Sequence, residues 1–458
     1  MIESLRMTTE TPLTPLAETP RETREPFRIR YLRLVKSNPN FRRLWSAQLI
    51  SGIGDWFYTL ALYDLLYQLT GSGKVLGWAI ILQSLPWFFM TPVAGLITDR
   101  FSRRGVMIVA DLARAGIVLG LLLVETRDDL WLVYVLLGLE VSFASLFEPA
   151  RNALLPDLVG KKDLLPANAV ASATWSLTLA VGMALGGLVA ATFGRQVTFL
   201  VNSGSFLLSA VLIRRILVAE SHIAPANTVS RHTPDAGKSP GGERYPKTPP
   251  SPSLHEGLRY LRSHSQVFAT LLAKTGLGVA GGMLLVLVLF GQEVFPLGNS
   301  GLLGTSLLFA ARGIGTLIGP LVGESVVRGR PWMMRRTIAA GFFLTAFGYG
   351  ALSYAPNLPV AALILMLGHM GSSNVWVMST ALLQISVPTN LRGRVFSLDM
   401  GLHTLVSSIS NFLLGKGRDD WGLYPRMMAG TLGIMLLLPA ILWTLRLLVV
   451  GKDLNEEE

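Results

Sequence analysis

The chain has 458 residues, no cysteine, 50% hydrophobic and 15% charged residues, and a formal net charge of +11. Soluble domains carry about 25% charged residues, so this composition excludes an ordinary soluble enzyme and points to an integral membrane protein. The lack of cysteine excludes disulfides and thiolate metal sites.

Apolar runs long enough to cross ~30 Å of hydrocarbon as helix fall near 44–70, 76–98, 105–124, 130–150, 166–192, 196–217, 265–291, 299–322, 336–354, 358–384, 394–415 and 424–450. They predict an all-α membrane protein of about twelve transmembrane helices. Lys and Arg gather in alternate connections: Arg103 and Arg104, Lys161 and Lys162, Arg214 and Arg215, Arg335 and Arg336, Arg392 and Arg394. This is the positive-inside pattern, with both termini cytoplasmic and the chain in the plasma (inner) membrane. The basic excess therefore reads as topology; the lipid bilayer is the expected partner, and nucleic acid is not. Residues 1–26 lack the apolar core of a cleavable signal peptide.

In chain order, residues 1–43 form an expected cytoplasmic segment, Thr-, Pro- and Glu-rich and unable to build a core up to 26, then basic and aromatic. Span one carries Gln48, Ser51, Gly54, Asp55 and Asp64. An ionisable residue inside a span is a functional candidate by default. Asp64, nine residues after Asp55, faces the opposite side of the helix, so the two do not line one cavity equally. Asp55 is the first candidate; the alternative is that it only hydrogen-bonds a neighbouring helix. Between spans two and three stands Gly95-Leu-Ile-Thr-Asp99-Arg100-Phe-Ser-Arg103-Arg104. A turn so short and charged belongs at a membrane surface. Span three holds Asp111 and Arg114, whose i,i+3 spacing allows them to neutralise each other. Span four holds Glu140 centrally and Glu148 near its end, followed by Pro149-Ala-Arg151-Asn152-Ala153-Leu-Leu-Pro156-Asp157. Span five holds Gly182, Gly186 and Gly187, small residues that allow tight helix crossing. Together, 44–217 form the first six-helix bundle.

The pattern Gly-x-x-x-Asp-Arg-x-x-Arg-Arg between spans two and three resembles the loop signature of the major facilitator superfamily. The segment from Gln48 to Asp55, the stretch from Pro149 to Asn168 and Arg392-Gly393-Arg394-Val395 resemble its efflux branch, which holds macrolide exporters and the enterobactin exporter. Ser102 replaces the family's second glycine, and Met183 replaces a proline found in exporters of the superfamily. The resemblance implies two six-helix bundles around a cavity lined by spans one, four, seven and ten. It makes Glu140 a second candidate, with Lys274 and His369 as minor ones. It also implies a conformational latch of Gly95, Asp99, Arg100, Arg103 and Arg104. In that latch Arg103 bonds an acid at the end of span four, for which Glu148 is expected, and Asp99 meets Arg394 at the start of span eleven.

Residues 218–264 are Pro-rich and predict a flexible cytoplasmic linker. The second bundle, 265–450, repeats the first weakly. At an offset of 228 positions Gly95 meets Gly323, Arg100 meets Arg328 and Ala153-Leu154-Leu155 meets Ala381-Leu382-Leu383, with Val327 in place of Asp99. An acidic tail, 451–458, ends the chain.

The expected function is secondary active transport, by alternating access, of a drug-like or siderophore-like small molecule, exported against protons and by a monomer. Proton coupling needs a carboxylate that exchanges a proton at physiological pH, which a low-dielectric cavity promotes. No Walker-type loop is present, so a proton gradient, with no bound cofactor or metal, is the expected energy source. Two alternatives stand: a lipid or lysophospholipid translocator on the same fold, and a non-transporting membrane scaffold or intramembrane enzyme.

Overall fold

The computed structural model describes residues 33–218, 254–298, 301–328 and 330–454. Most of the expected linker, most of the N-terminal segment and the end of the tail lie outside these residues. Helix follows helix in an antiparallel array: α1 (Pro39–Thr70), α2 (Gly73–Arg100), α3 (Arg103–Gly120), α4 (130–159), α5 (161–193) and α6 (Arg195–Arg214). After the short α7 (Leu254–Ser263), span seven is built in pieces: α8 (Ser265–Leu277), a 3-10 stretch Gly278–Gly282, α9 (Met283–Leu289) and a π turn Phe290–Val294. Then come α10 (Leu302–Val327), α11 (Pro331–Leu352), α12 (Leu358–Ser386), α13 (Thr389–Asp420) and α14 (Pro425–Leu454). The fold is all-α, with twelve membrane helices in two six-helix bundles. Eight helices of the described residues are apolar enough to cross a membrane on composition alone. α1, α2, α11 and α13 complete the twelve, and α1 and α13 carry acids into the bundle, Asp55 and Asp64 in one and Asp399 in the other.

The boundaries have local causes. Asn38 caps α1 by accepting from Phe41 N–H at 2.9 Å, with Pro39 at the first helical position. Ser102 caps α3 by accepting from Gly105 N–H at 3.1 Å. Its φ of −55° is open to any residue, so the backbone there tolerates serine in place of the signature's expected second glycine. Gly160, at φ 69° and ψ 169°, separates α4 from α5; that left-handed conformation favours glycine.

The bundle has a basic end, carrying Arg103, Arg104, Arg214 and Arg335, and a far end, carrying Gly71 and Gly422. Buried apolar side chains pack differently at the two. At the far end one continuous core runs through both halves, from Leu62, Val118 and Phe206 to Leu287, Phe309 and Leu436. At the basic end the core splits. Leu44, Met107 and Leu154 pack within the first half. Ile338, Phe342 and Val375 form one cluster of the second half, and Leu261, Leu271 and Val395 form another. Leu261 lies on α7, so the expected linker ends in a packed helix rather than continuing to 264.

Polar contacts between the halves reinforce the far end. Asp419 on α13 receives Ser72 Oγ at 2.6 Å, Gly73 N at 2.8 Å and Lys74 N at 3.0 Å, and so caps α2 from the opposite bundle. Lys74 pairs with Asp420. Tyr67 donates to Glu293 at 2.9 Å, and Arg418 pairs with the same carboxylate at 2.8 Å. Small residues bring the backbones together: a Cβ on Gly313 would fall 2.6 Å from Ala180 Cα, and one on Gly187 would collide with Ser306.

Candidate functional site

The first site grows from α1, α3 and α4 at mid-depth of the first half. Arg114 Nη2 lies 2.8 Å from Asp55 Oδ1 and 2.7 Å from Glu140 Oε1, and Arg114 Nε donates to Glu140 Oε1 at 2.8 Å. Its guanidinium sits 4.0 Å from the Phe206 ring centroid. Burying that cation is tolerable because two carboxylates and an aromatic face replace water. Asp55 and Glu140, the two leading candidates from the sequence, are thus brought together by a residue that the sequence reading gave a different role. Arg114 does not pair with Asp111 as the i,i+3 spacing suggested. Asp111 instead accepts from Ser209 Oγ at 2.6 Å, and its second oxygen is buried without a partner. The reason is geometric: a carboxylate and a guanidinium on neighbouring helices meet end to end, which a short Asp one turn away on the same helix does not match.

Access separates the three acids. The Asp55 side chain is 36% exposed, that of Glu140 7%, and Asp111 is fully buried. Asp55 is therefore the most accessible of the three. Asp64 faces elsewhere, as its position on the helix requires; it is buried, and Gln292 of the second half lies 3.4 Å from it.

The minor candidates of the second half are engaged locally. Lys274 on α8 pairs with Asp399 on α13, donates to Thr380 Oγ1 at 3.0 Å and lies 4.7 Å from the Trp376 ring centroid. Both charges are sealed from solvent, at 2% and 0% side-chain exposure. His369 shares a hydrogen bond of 2.9 Å with Tyr349 Oη and one of 3.1 Å with Ser372 Oγ.

The expected latch is resolved in part. Arg103 donates to Ala153 O at 2.8 Å and to Asp157 Oδ2 at 2.9 Å. The acid it meets is thus Asp157, about two and a half turns further along α4 than the expected Glu148, which pairs with Arg151 at 2.7 Å. Arg151 lies one turn from Glu148 on the same helix and captures it first. Arg104 caps the end of α6 through Ile216 O at 2.6 Å. Arg100 ends α2 and is exposed, and Gly95 lies one turn and a half before it. The Asp99 side chain lies outside the described residues, so its expected contact with Arg394 does too. The internal repeat is consistent with the helices: Gly323 and Arg328 close α10, the second span of the second half, as Gly95 and Arg100 close α2. In span five, a Cβ on Gly182 would fall 2.8 Å from Trp56 Cβ and one on Gly186 2.8 Å from Phe57 Cα, so the small-residue motif seats α1 beside the Asp55 cluster.

Residues 44–410 match the family model of the Major Facilitator Superfamily. The chain is 27% identical over 405 residues to the multidrug efflux pump Tap of Mycolicibacterium fortuitum, covering 85% of this chain and 92% of that one. It is 25% identical over 402 residues to macrolide efflux protein A of Streptococcus pyogenes (86% and 93% covered). It is also 25% identical over 397 residues to the enterobactin exporter EntS of Citrobacter koseri (84% and 86% covered). Among solved structures, a bacterial homologue of the iron transporter ferroportin in an inward-facing state superposes with a TM-score of 0.63 at 17% identity, over 88% of this chain and 98% of that one. The chain belongs to the major facilitator superfamily and is a transporter with efflux pumps among its relatives.

Proposed function

We propose that this member of the superfamily exports small organic molecules from the cytoplasm in exchange for protons, by alternating access across the inner membrane, with its basic end on the cytoplasmic side. The observation that carries the reading is the Asp55–Arg114–Glu140 cluster with Asp111 behind it. Two carboxylates paired with one guanidinium, and a third buried behind them, would carry two negative charges in excess of the cation if all three were ionised in a bundle surrounded by hydrocarbon. That excess is costly in a low-dielectric interior, and binding a proton relieves it. Asp55, the exposed member, is the port through which the proton enters and leaves. A proton on Asp55 weakens its hold on Arg114, loosens α1 from α3 and shifts the balance between the two orientations of the halves.

The split core supports the conformational part. A core that is shared at the far end and divided at the basic end suits a cavity open towards the cytoplasm. Two rigid halves would then rock about their seam. The efflux direction and the drug-like cargo rest on the relatives, Tap and macrolide efflux protein A among them.

The test is uptake of radiolabelled erythromycin and of ethidium into inverted proteoliposomes, driven by an imposed pH gradient. Asp55→Asn is expected to abolish the gradient-driven component while leaving downhill exchange. Gradient-driven uptake at the wild-type rate in Asp55→Asn would remove Asp55 from the coupling step. No uptake of any probe by the wild type would leave the lipid-translocator reading ahead.

A further inference from the structure

Arg312 is a partly buried cation that the coupling scheme does not use. It projects from α10 beside Gly313, whose near-contact with Ala180 marks the seam between the halves. It lies within electrostatic reach of Tyr63 on α1, Tyr349 on α11 and His369 on α12. Its guanidinium carbon is 5.9 Å from the Phe309 ring centroid. Nε and Nη1 are both buried and neither has a hydrogen-bond partner. The contrast with the cations buried at mid-depth is direct. Arg114 holds Asp55 and Glu140, and Lys274 holds Asp399. Among the described residues no carboxylate stands against Arg312.

The surrounding polar groups are already committed. Tyr63 Oη donates to Gln83, and Tyr349 Oη and His369 Nε2 share a hydrogen bond, with His369 Nδ1 turned to Ser372. A guanidinium with donors left unmade inside a membrane bundle is expensive. A neutral residue would pack there at lower cost, so its retention calls for an anion that comes and goes. The surroundings are aromatic, with Tyr63, Phe309 and Tyr349 all buried in the core shared by the halves, whereas a site for a small inorganic ion would gather further hydrogen-bond donors.

We propose that Arg312 is the receptor for the anionic group of the cargo, which makes organic anions, aromatic carboxylates or phenolates, a substrate class of this transporter. The charged group takes the unmade donors of Arg312, and the apolar body lies against Tyr63, Phe309 and Tyr349 once the seam between the halves parts. Because Tyr63 belongs to the first half and Arg312 to the second, cargo held there touches both moving parts. The proposal rests on the transporter reading but not on proton coupling.

The experiment uses the full chain in nanodiscs and a matched set of probes: 1-naphthoate, the uncharged 1-naphthamide, the cationic 1-naphthylmethylamine, and sodium sulfate. Binding is followed by equilibrium dialysis. Naphthoate is expected to bind at least about tenfold tighter than the amide, as a charge-assisted hydrogen bond implies. Arg312→Gln is expected to erase that preference without loss of amide binding, and Arg312→Lys to retain part of it. Should Arg312→Gln not fold, phenylglyoxal labelling of Arg312 in the wild type replaces it, with naphthoate protecting the residue and the amide not. The proposal is overturned if naphthoate shows no advantage over the amide, or fails to bind at all. It is equally overturned if the advantage survives in Arg312→Gln, or if sulfate alone displaces naphthoate or protects Arg312 equally, which would make the site one for inorganic anions. Wild-type gradient-driven transport by Asp55→Asn would sink proton coupling and leave this anion preference standing.

Discussion

In the first half one guanidinium pairs with two carboxylates, with a third buried on its own helix, and one of the pair is partly exposed; in the second half one ammonium faces one carboxylate, and both are sealed. The same residue types at similar depth are therefore arranged for different ends. A matched, sealed pair has no reason to change its protonation, because either partner alone would be a bare buried charge. An unmatched cluster with an open member has such a reason in every cycle. Charge balance and access, more than the mere presence of an intramembrane acid, separate the part that works from the part that holds.

The largest effect should come from removing the cation of the unmatched cluster. Arg114→Gln leaves Asp55 and Glu140 without the guanidinium they share, and breaking a buried ion pair in this way costs about 3–5 kcal/mol. Thermal unfolding in detergent should show that loss, and gradient-driven transport should vanish with it. Unfolding at the wild-type temperature would mean that the acids are already neutral in the resting protein, and the contrast between the halves would collapse.

Next comes the matched pair. Asp399→Asn strands Lys274 and should destabilise by about 3 kcal/mol. The joint change Lys274→Met with Asp399→Leu should recover most of that stability, since replacing a buried pair by apolar residues of similar size is often neutral. The joint variant should also keep its response to a pH gradient. A stable joint variant that had lost the response would show that the second half takes part in coupling, and the division of labour drawn here would fail.

The fold was legible because helix length and apolarity are written locally: among the described residues each run falls largely on a helix, the seventh in pieces, and the caps at Asn38 and Ser102 follow from neighbouring residues. The site was legible only as a set of members. Asp55 and Glu140 stood out as acids in hydrocarbon, yet nothing in the sequence says that Arg114 joins them, since those contacts span 59 and 26 positions. The local i,i+3 pattern offered Asp111 instead and was overruled by packing between helices. Arg103 illustrates the same limit in reverse. An acid near the end of span four was expected, but Arg151 sits one turn from Glu148 and claims it, leaving Asp157 for the loop. Arg312 gave no signal beyond being a charge in a span, because its distinguishing property is a contact it lacks.

The smallest predicted effect lies at the far-end seam, where the two halves are joined by groups that bear on neither charge cluster. Asp419 collects the first amide groups of α2 together with Ser72 Oγ, so it acts as a helix cap supplied by the opposite bundle. Asp419→Asn keeps the shape but drops the charge that favours a helix N-terminus. A cap of this kind contributes about 1 kcal/mol, which corresponds to about a fivefold shift in a two-state balance. If the seam closes the far side while the basic side is open, the variant should populate the opposite orientation more, with overall stability nearly unchanged. Spin-label distances between cysteines introduced into the two far-end loops, in a chain that has none of its own, would read the shift directly. An unchanged distance distribution would place the hinge energy in the apolar core shared by the halves, rather than in the polar contacts at its rim.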